Sequence, residues 1–242
     1  MTEHPTPPLH RWNLTPEEAI ALQHELAGKI ITEDRLGEVH AVAGVDMAIN
    51  EEHNTVQAAV VLLKYPEMEL IEQHIYEETL RMPYVPGLLS FREAPAVLGA
   101  LSKLRHKADI VMADGQGIAH PRRVGIASHL GLWLNIPTIG CAKSILVGHY
   151  DKEKLGEEAG NWQPLIYKNE VIGAAVRTRT RVNPMYISLG HMISLETSIK
   201  YVLACSKGYR LPEPTRQADK LSKNNFWVEP EESAQPELWS ES

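Results

Sequence analysis

The sequence has little cysteine and no long apolar run. Its two cysteines, Cys141 and Cys205, both stand in apolar surroundings, which favours free buried thiols over a disulfide. No apolar stretch approaches the roughly 20 residues that a membrane-spanning helix needs, and residues 1–12 are polar and proline-rich without an apolar signal region. We therefore expect a soluble, cytoplasmic monomer with no membrane partner and no zinc cluster built from His and Cys.

Positive charge is also scarce. The chain has 24 Lys and Arg against 31 Asp and Glu, a net charge of −7, and this balance argues against a nucleic-acid partner because Lys and Arg drive phosphate binding. The charge is unevenly spread, however: residues 229–242 hold five glutamates and no basic residue, and without them the net charge is −2. Residues 80–145 hold eight Lys and Arg against three acids. This distribution permits a nucleic-acid partner, although solvated helix faces would produce it too.

The length and the apolar content predict one domain. With 242 residues, 43% of them hydrophobic, the chain can close one sizeable core, and no linker rich in Ser, Gly and Pro divides it. We assign residues 1–228 to this domain and residues 229–242 to an acidic tail that is predicted to be disordered. The polar segment after Pro214 has no predicted helix or strand.

The apolar pattern predicts an α/β fold with a mixed sheet flanked by helices. Thr15-Pro16-Glu17-Glu18 has the form of a capping box and predicts a helix from 16 to about 28. Three strands that follow are predicted to form an antiparallel meander, after which parallel strands alternate with helices. The predicted strands are 42–49, 56–64, 69–77, 110–113, 138–141, 171–177 and 185–189, and the later helices are 91–104, 124–134 and 195–206.

Two aspartates stand where an unpaired charge would be costly. Asp46 lies inside an apolar strand, and Asp114 follows another strand at an Asp-Gly turn. Each has an ordinary explanation, a backbone hydrogen bond at a strand kink for Asp46 and a simple turn for Asp114. If the two strands pair in parallel, however, both carboxylates come within reach of one cation. Oxygen ligands suit Mg²⁺, with Mn²⁺ as an alternative.

A tyrosine stands in a proline-rich loop. Pro83 and Pro86 stiffen residues 83–87, which we call the prolyl loop, and would hold Tyr84 outward beside Val85. An exposed tyrosine on a stiff loop can stack on bases or wedge between them. The alternative is a tyrosine packed at the loop edge.

Other candidate residues lie at strand–helix junctions. Residues 115–123 combine glycines with a histidine and two arginines, a composition that suits phosphate binding at a helix start. Lys143 follows a strand and is either a phosphate contact or a surface lysine. His191 also lies between a strand and a helix, where a lone histidine is more often structural. Glu93, three residues after Ser90, fits the glutamate of a capping box.

Taken together, these segments resemble the endonuclease V family in order and spacing. The resemblance covers roughly residues 13–210, and although each segment alone would be weak, five in sequence are very specific. The segments are VAGVD at 42–46, PYVPGLLSFRE at 83–93, DGQGIAHPRR at 114–123, CAKS at 141–144 and GHMISLET at 190–197.

The resemblance implies a ribonuclease H-like fold and a DNA-repair endonuclease. Such an enzyme would recognise deoxyinosine and use metal-activated water to hydrolyse the second phosphodiester bond 3′ to the lesion. By motif, Asp46 and Asp114 would bind Mg²⁺, and Lys143 would stabilise phosphate charge. Glu93 and His191 would complete the catalytic group through metal-bound water or the scissile phosphate.

The resemblance also implies a lesion-binding surface. Tyr84, flanked by Pro83, Val85 and Pro86, would fill the gap left by an extruded base. The base pocket would be lined by Leu89, Gly115, Gly125 and Leu146, with His120 close to it. Val85 and Met192 are slight departures from the family pattern, and the acidic tail lies outside it. Cleavage of inosine-containing RNA and non-catalytic inosine binding remain as alternative functions.

Overall fold

Eight strands form one mixed sheet in the computed structural model, which describes residues 9–224. The strands lie in the order β3-β2-β1-β4-β5-β8-β7-β6. The predicted acidic tail lies outside the described residues. The strands are β1 (Ala41–Asn50), β2 (Thr55–Lys64), β3 (Glu69–Thr79), β4 (Ile110–Ala113), β5 (Thr138–Ala142), β6 (Trp162–Tyr167), β7 (Glu170–Val176) and β8 (Met185–His191), and the helices are α1 (Pro16–Ala27), α2 (Leu89–Leu101), α3 (Ile126–Leu134), α4 (Leu195–Ala204) and α5 (Glu213–Asn224).

The predicted meander and the predicted parallel pairing are both confirmed. Strand β1 pairs antiparallel with β2 and parallel with β4, and β5 continues the parallel arrangement beside β4. Val45 of β1 lies opposite Ala113 of β4, so the next residues, Asp46 and Asp114, are neighbours across the pair. The backbone N–H of Asp114 donates to the carbonyl of Val45 at 3.1 Å, which extends the pairing to the aspartate.

The sheet has a hydrophobic cluster on each face. Along β1, Val42 belongs to the cluster that includes α4 and α5, whereas Ala43 and Val45 belong to the cluster that includes α2 and α3. Because alternate strand residues point to opposite faces, Asp46 faces the α5 side. Both cysteines are free and buried, as predicted. No helix within residues 9–224 is long and apolar enough to cross a membrane.

The predicted caps are confirmed for one helix and wrong for another. The Thr15 hydroxyl accepts a hydrogen bond from the Glu18 N–H, and the Glu18 carboxylate accepts one from Thr15, so α1 begins with the predicted capping box. Helix α2 begins two residues before the predicted Phe91 and has no side-chain cap. Ser90 therefore lies inside α2, where its hydroxyl bonds to His129.

The sequence prediction missed two elements, β6 and α5. Strand β6 pairs antiparallel with β7 at one edge of the sheet. Helix α5 lies in the segment that was predicted only to be polar, and it packs on β1 through a buried face of small residues. Small and polar side chains give little apolar periodicity, so the usual helix signal is weak there. The buried residues of this face include Thr215, Ala218 and Ser222.

Candidate active site

Three carboxylates meet where β1, β4 and α5 converge. Asp46 lies in β1, Asp114 follows β4, and Asp219 projects from α5. One ligand atom from each lies within 4.8 Å of the others. Asp46 and Asp114 are the predicted pair, whereas Asp219 was missed because it lies outside the recognised segments in a helix with a weak sequence signal.

Lys143 bridges two of these carboxylates. Its Nζ lies 2.5 Å from Asp114 Oδ2 and 2.7 Å from Asp219 Oδ1. The Ser222 hydroxyl donates to Asp46 Oδ2 at 2.6 Å, and Lys223 pairs with Asp219 at 2.8 Å. The carboxylates are therefore brought together by hydrogen bonds and by cationic side chains.

The protonation of the cluster reflects burial and crowding of negative charge. Burial is the largest effect on Asp46, and the charges of Asp114 and Asp219 add to it, so its pKa rises to about 7 despite the hydrogen bond from Ser222. Burial also opposes the charged form of Lys143, but hydrogen bonds to Asp114 and Asp219 outweigh it and raise the pKa of Lys143. A further positive charge would therefore favour ionised Asp46.

Glu93 joins the site from α2. Its side chain is buried and lines the same cavity as Asp114 and Lys143. Burial raises the pKa of Glu93 to about 8, with Asp46 and Asp114 adding to the shift and Arg92 opposing it. Burial thus favours the neutral form of Glu93, and positive charge entering the cluster would favour release of its proton.

His191 is not brought to this cluster. Strand β8 runs antiparallel to β5, and His191 lies opposite Thr138, the first residue of β5. Lys143 follows the other end of β5, about 16 Å away at 3.3 Å per residue. His191 is buried, and its Nδ1 accepts a hydrogen bond from the Ile31 N–H at 3.2 Å. This environment matches the structural alternative for a lone histidine.

A cavity of about 390 Å³ opens beside the carboxylates. Its volume is typical of a site for a small organic group. Tyr84, Leu89 and Leu146 are the exposed apolar members of its lining, and Tyr84 is 63% exposed. The residues that flank Tyr84 in the prolyl loop do not line this cavity; they are Pro83, Val85 and Pro86. The residues that the sequence singled out and that line this cavity are Tyr84, Leu89, Glu93, Asp114, Gly115, His120, Gly125, Lys143 and Leu146.

Comparison with known proteins identifies the family. The family model for endonuclease V matches residues 24–220. The chain belongs to the endonuclease V family. Endonuclease V of a Nostoc species is 55% identical over 216 residues, which cover 89% of this chain and 97% of the relative. The chain is thus related to nucleases along most of its length, and it shares their enzyme class.

Solved endonuclease V structures share the fold. The Streptomyces avermitilis structure has a TM-score of 0.83 at 39% identity and covers 87% of this chain and 92% of its own. A Ciona intestinalis endonuclease V variant has a TM-score of 0.75 at 34% identity, with coverages of 86% and 97%. That variant is in complex with a 23mer DNA containing an inosine followed by a ribo-adenosine. The ribonuclease H-like mixed sheet predicted from sequence is therefore confirmed.

Proposed function

We propose that this chain recognises deoxyinosine in DNA and hydrolyses the second phosphodiester bond 3′ to it. The observation that carries the proposal is that two features lie at the same cavity in a chain of this family. A carboxylate cluster with a bridging lysine lies at one side of the cavity, and an exposed tyrosine lies at its edge. The first feature suits phosphodiester hydrolysis, and the second suits recognition of a base removed from the stack.

The carboxylate cluster fits a divalent cation such as Mg²⁺, or Mn²⁺ as an alternative. Carboxylate oxygens from Asp46, Asp114 and Asp219 are hard ligands, and their mutual distances allow them to share one ion. Burial, with the charges of Asp114 and Asp219 adding to it, raises the pKa of Asp46, so a bound cation would favour its ionised form. When bound, the cation supplies Lewis-acid activation of water and offsets charge on the phosphate.

The side chains around the cluster have separate roles in the proposed reaction. Lys143, already beside two carboxylates, would place its ammonium near the scissile phosphate and stabilise charge there. The pKa of the Glu93 carboxyl group, about 8, lies close to neutral pH, which suits proton transfer at its Oε atoms. We assign no catalytic role to His191 because of its place in the sheet.

The cavity would receive the base. Extruding a base costs a few kcal/mol of unstacking, and the exposed ring of Tyr84 would fill the space left in the duplex. Leu89, Gly115, Gly125 and Leu146 would surround the base, with His120 at the same cavity. Burial, with the charge of Arg122, lowers the pKa of His120 to about 4. A neutral histidine at this place adds no net charge to the cavity.

Cleavage of inosine-containing RNA is a second candidate function. The Ciona relative is in complex with a DNA in which a ribo-adenosine follows the inosine. A ribonucleotide carries a 2′-hydroxyl at that position, the group by which proteins distinguish RNA from DNA. The DNA bound by this relative thus contains a single ribonucleotide, directly after the inosine.

Matched oligonucleotides test both candidates. Inosine-containing DNA and RNA of identical sequence are incubated with the protein and a series of Mg²⁺ concentrations, and the product ends are mapped. We expect Mg²⁺-dependent nicks at the second bond 3′ to deoxyinosine in DNA and no nicks in the adenine control. Binding without cleavage of either substrate at any Mg²⁺ concentration would support a non-catalytic inosine reader and refute the nuclease proposal.

A further inference from the structure

The carbonyl oxygen of Gly87, at the end of the prolyl loop, accepts hydrogen bonds from three side chains. Gln23 Nε2 donates at 2.9 Å, Arg122 Nη2 at 2.8 Å and His120 Nε2 at 3.1 Å. Gln23 belongs to α1, whereas Arg122 and His120 belong to the segment that precedes α3. The prolyl loop, α1 and the segment before α3 therefore meet at one carbonyl, which lies three residues after Tyr84.

Gln23 is the buried centre of this network. Its side chain is 0% exposed, and all of its polar groups are used. In addition to Gly87, its Nε2 donates to the carbonyl of Val124 at 3.2 Å, and its Oε1 accepts from Arg122 Nε. A buried amide left without partners is costly, so a fully satisfied network holds its members in one arrangement.

The protonation of His120 agrees with this arrangement. The backbone N–H of Arg122 donates to His120 Nδ1 at 3.2 Å, so Nε2 carries the proton that His120 shares with the Gly87 carbonyl. Gly87 has a φ of +80°, and an added Cβ would lie 2.6 Å from Arg122 Nη2. Glycine therefore permits both the turn of the loop and the close approach of the arginine.

The prolyl loop also packs on α1, the helix that contains Gln23. Val85 contacts a cluster that contains Ala19 and Leu22 of α1 together with Met82 and Leu88 on either side of the loop. Tyr84 is not part of this cluster, and its side chain is 63% exposed. Helix α1 thus supports the loop by apolar packing, and Gln23 is the residue of α1 that hydrogen-bonds to the loop.

We propose that Gln23 is a positioning residue for lesion recognition, acting through the Gly87 carbonyl to hold Tyr84 ready for insertion into duplex DNA. The inference rests on the proposed function of the cavity and extends it to α1, which lies before the five segments of the family pattern. A loop that is already ordered loses little entropy when its tyrosine inserts. Removing the attachment should therefore weaken binding where insertion is required and spare binding where it is not.

The experiment is a double-mutant cycle between Gln23→Leu and Tyr84→Ala. Affinity is measured for deoxyinosine in duplex and in single-stranded DNA, at one salt concentration, with Ca²⁺ in place of Mg²⁺ to separate binding from cleavage. We expect Gln23→Leu to weaken duplex binding about tenfold more than single-strand binding, the size of one or two lost hydrogen bonds. In the Tyr84→Ala background this duplex-specific loss should disappear, because coupled residues are not additive.

Two further variants separate positioning from stability. Leu26→Ala removes a fully buried side chain from the same helix but leaves the Gly87 network untouched, so it should lower the melting temperature without a duplex-specific loss. Gln23→Glu keeps an acceptor for Arg122 but removes both N–H donors, and it should reproduce the duplex-specific loss even if Gln23→Leu does not fold.

Additive effects of Gln23→Leu and Tyr84→Ala, or the same duplex-specific loss in Leu26→Ala, would overturn the positioning role. Failure of both Gln23 variants to fold would make Gln23 a folding residue and would overturn it equally. If the wild-type protein itself showed no preference for deoxyinosine over adenine, the proposed function would fail instead, and the two failures are thereby distinguished.

Discussion

At the residue scale, the ionisation of the buried aspartate of β1 depends on groups that lie outside its own strand. Asp46 receives the Ser222 hydroxyl from α5, and its pKa is raised by burial and by the two nearby carboxylates. A carboxylate in this setting gains more from a bound cation than an exposed one would, because the low local dielectric strengthens the attraction. Asp219, which also lies on α5, is the third carboxylate of the cluster.

Asp219→Asn should abolish Mg²⁺-dependent nicking as fully as Asp46→Asn or Asp114→Asn. Each substitution keeps the shape of the side chain but removes a charge that the cation needs, and the loss should reach about 10²-fold or more in rate, since metal stabilisation is worth several kcal/mol. Nicking rates are measured at saturating Mg²⁺, and folding is checked by circular dichroism. Asp151→Asn, at an exposed site with no part in the cluster, is the matched control.

A folded Asp219→Asn variant with the wild-type rate would remove Asp219 from the metal site. The two-residue site predicted from sequence, Asp46 and Asp114, would then stand alone.

Lys143→Ala should lower turnover far more than lesion binding. An ammonium beside the scissile phosphate matters most when negative charge develops in the transition state, and losing such a group costs about 2.7–4 kcal/mol. The measurement is single-turnover cleavage together with affinity for the uncut substrate. Equal losses in both would make Lys143 an ordinary contact to the DNA backbone.

At the element scale, the contact between β1 and α5 decides whether the third carboxylate reaches the site. Gly44 lies two residues before Asp46 on the strand face that meets the start of α5. A Cβ built there would lie 2.0 Å from the carbonyl carbon of Pro214 and 2.6 Å from the backbone nitrogen of Thr215. The backbone of α5 can approach β1 this closely only because the strand has glycine at this point.

Gly44→Ala should therefore separate α5 from the sheet and move Asp219 away from its partners. We expect a stability loss of about 1–3 kcal/mol, as for other overpacked sites, and a loss of nicking larger than that stability change explains. Urea denaturation and nicking rates are the two measurements. Gly37→Ala is the control, since a Cβ there meets nothing within 4 Å; wild-type behaviour of Gly44→Ala would show that the contact does not constrain α5.

At the scale of the whole molecule, the buried acids should make stability depend on pH. The folded pKa values of Glu93 and Asp46, about 8 and about 7, lie above their ordinary values. Their contribution to stability is therefore complete below the unfolded pKa values and is lost as pH rises through the folded ones. Burial lowers the pKa of His120 and His129, so their contribution makes stability increase with pH. This increase ends near pH 6.5, the ordinary pKa of histidine.

Between about pH 6.5 and 8, the melting temperature of the metal-free protein should fall as pH rises. Glu93→Gln, which mimics the neutral acid, should flatten this fall, and Mg²⁺ should oppose it by pairing with the ionised carboxylates. Thermal melts with EDTA and with Mg²⁺ across this range provide the measurement. A melting temperature that rises with pH in EDTA would show that the acids are not neutral in the folded protein.

Much of the architecture follows from local sequence. Alternating apolar residues and turn signals specify β1 to β5, and Thr15 with Glu18 specifies the start of α1. The start of α2 was misplaced because Ser90 and Glu93 match a capping box. In the folded protein Ser90 bonds to His129 and Glu93 faces the carboxylate cluster, so tertiary contacts override the local signal.

The sequence by itself determined the family, the central strands and two of the three clustered aspartates, because all of these depend on patterns that are contiguous along the chain. Only the tertiary structure decided that Asp219 joins them, that His191 lies at the other end of the sheet, and that Gln23 reaches the prolyl loop. Asp46 and Asp219 are far apart in sequence, and their meeting depends on a helix packing against Gly44. Such proximity comes from the packing of elements, for which a single sequence carries no local periodic signal.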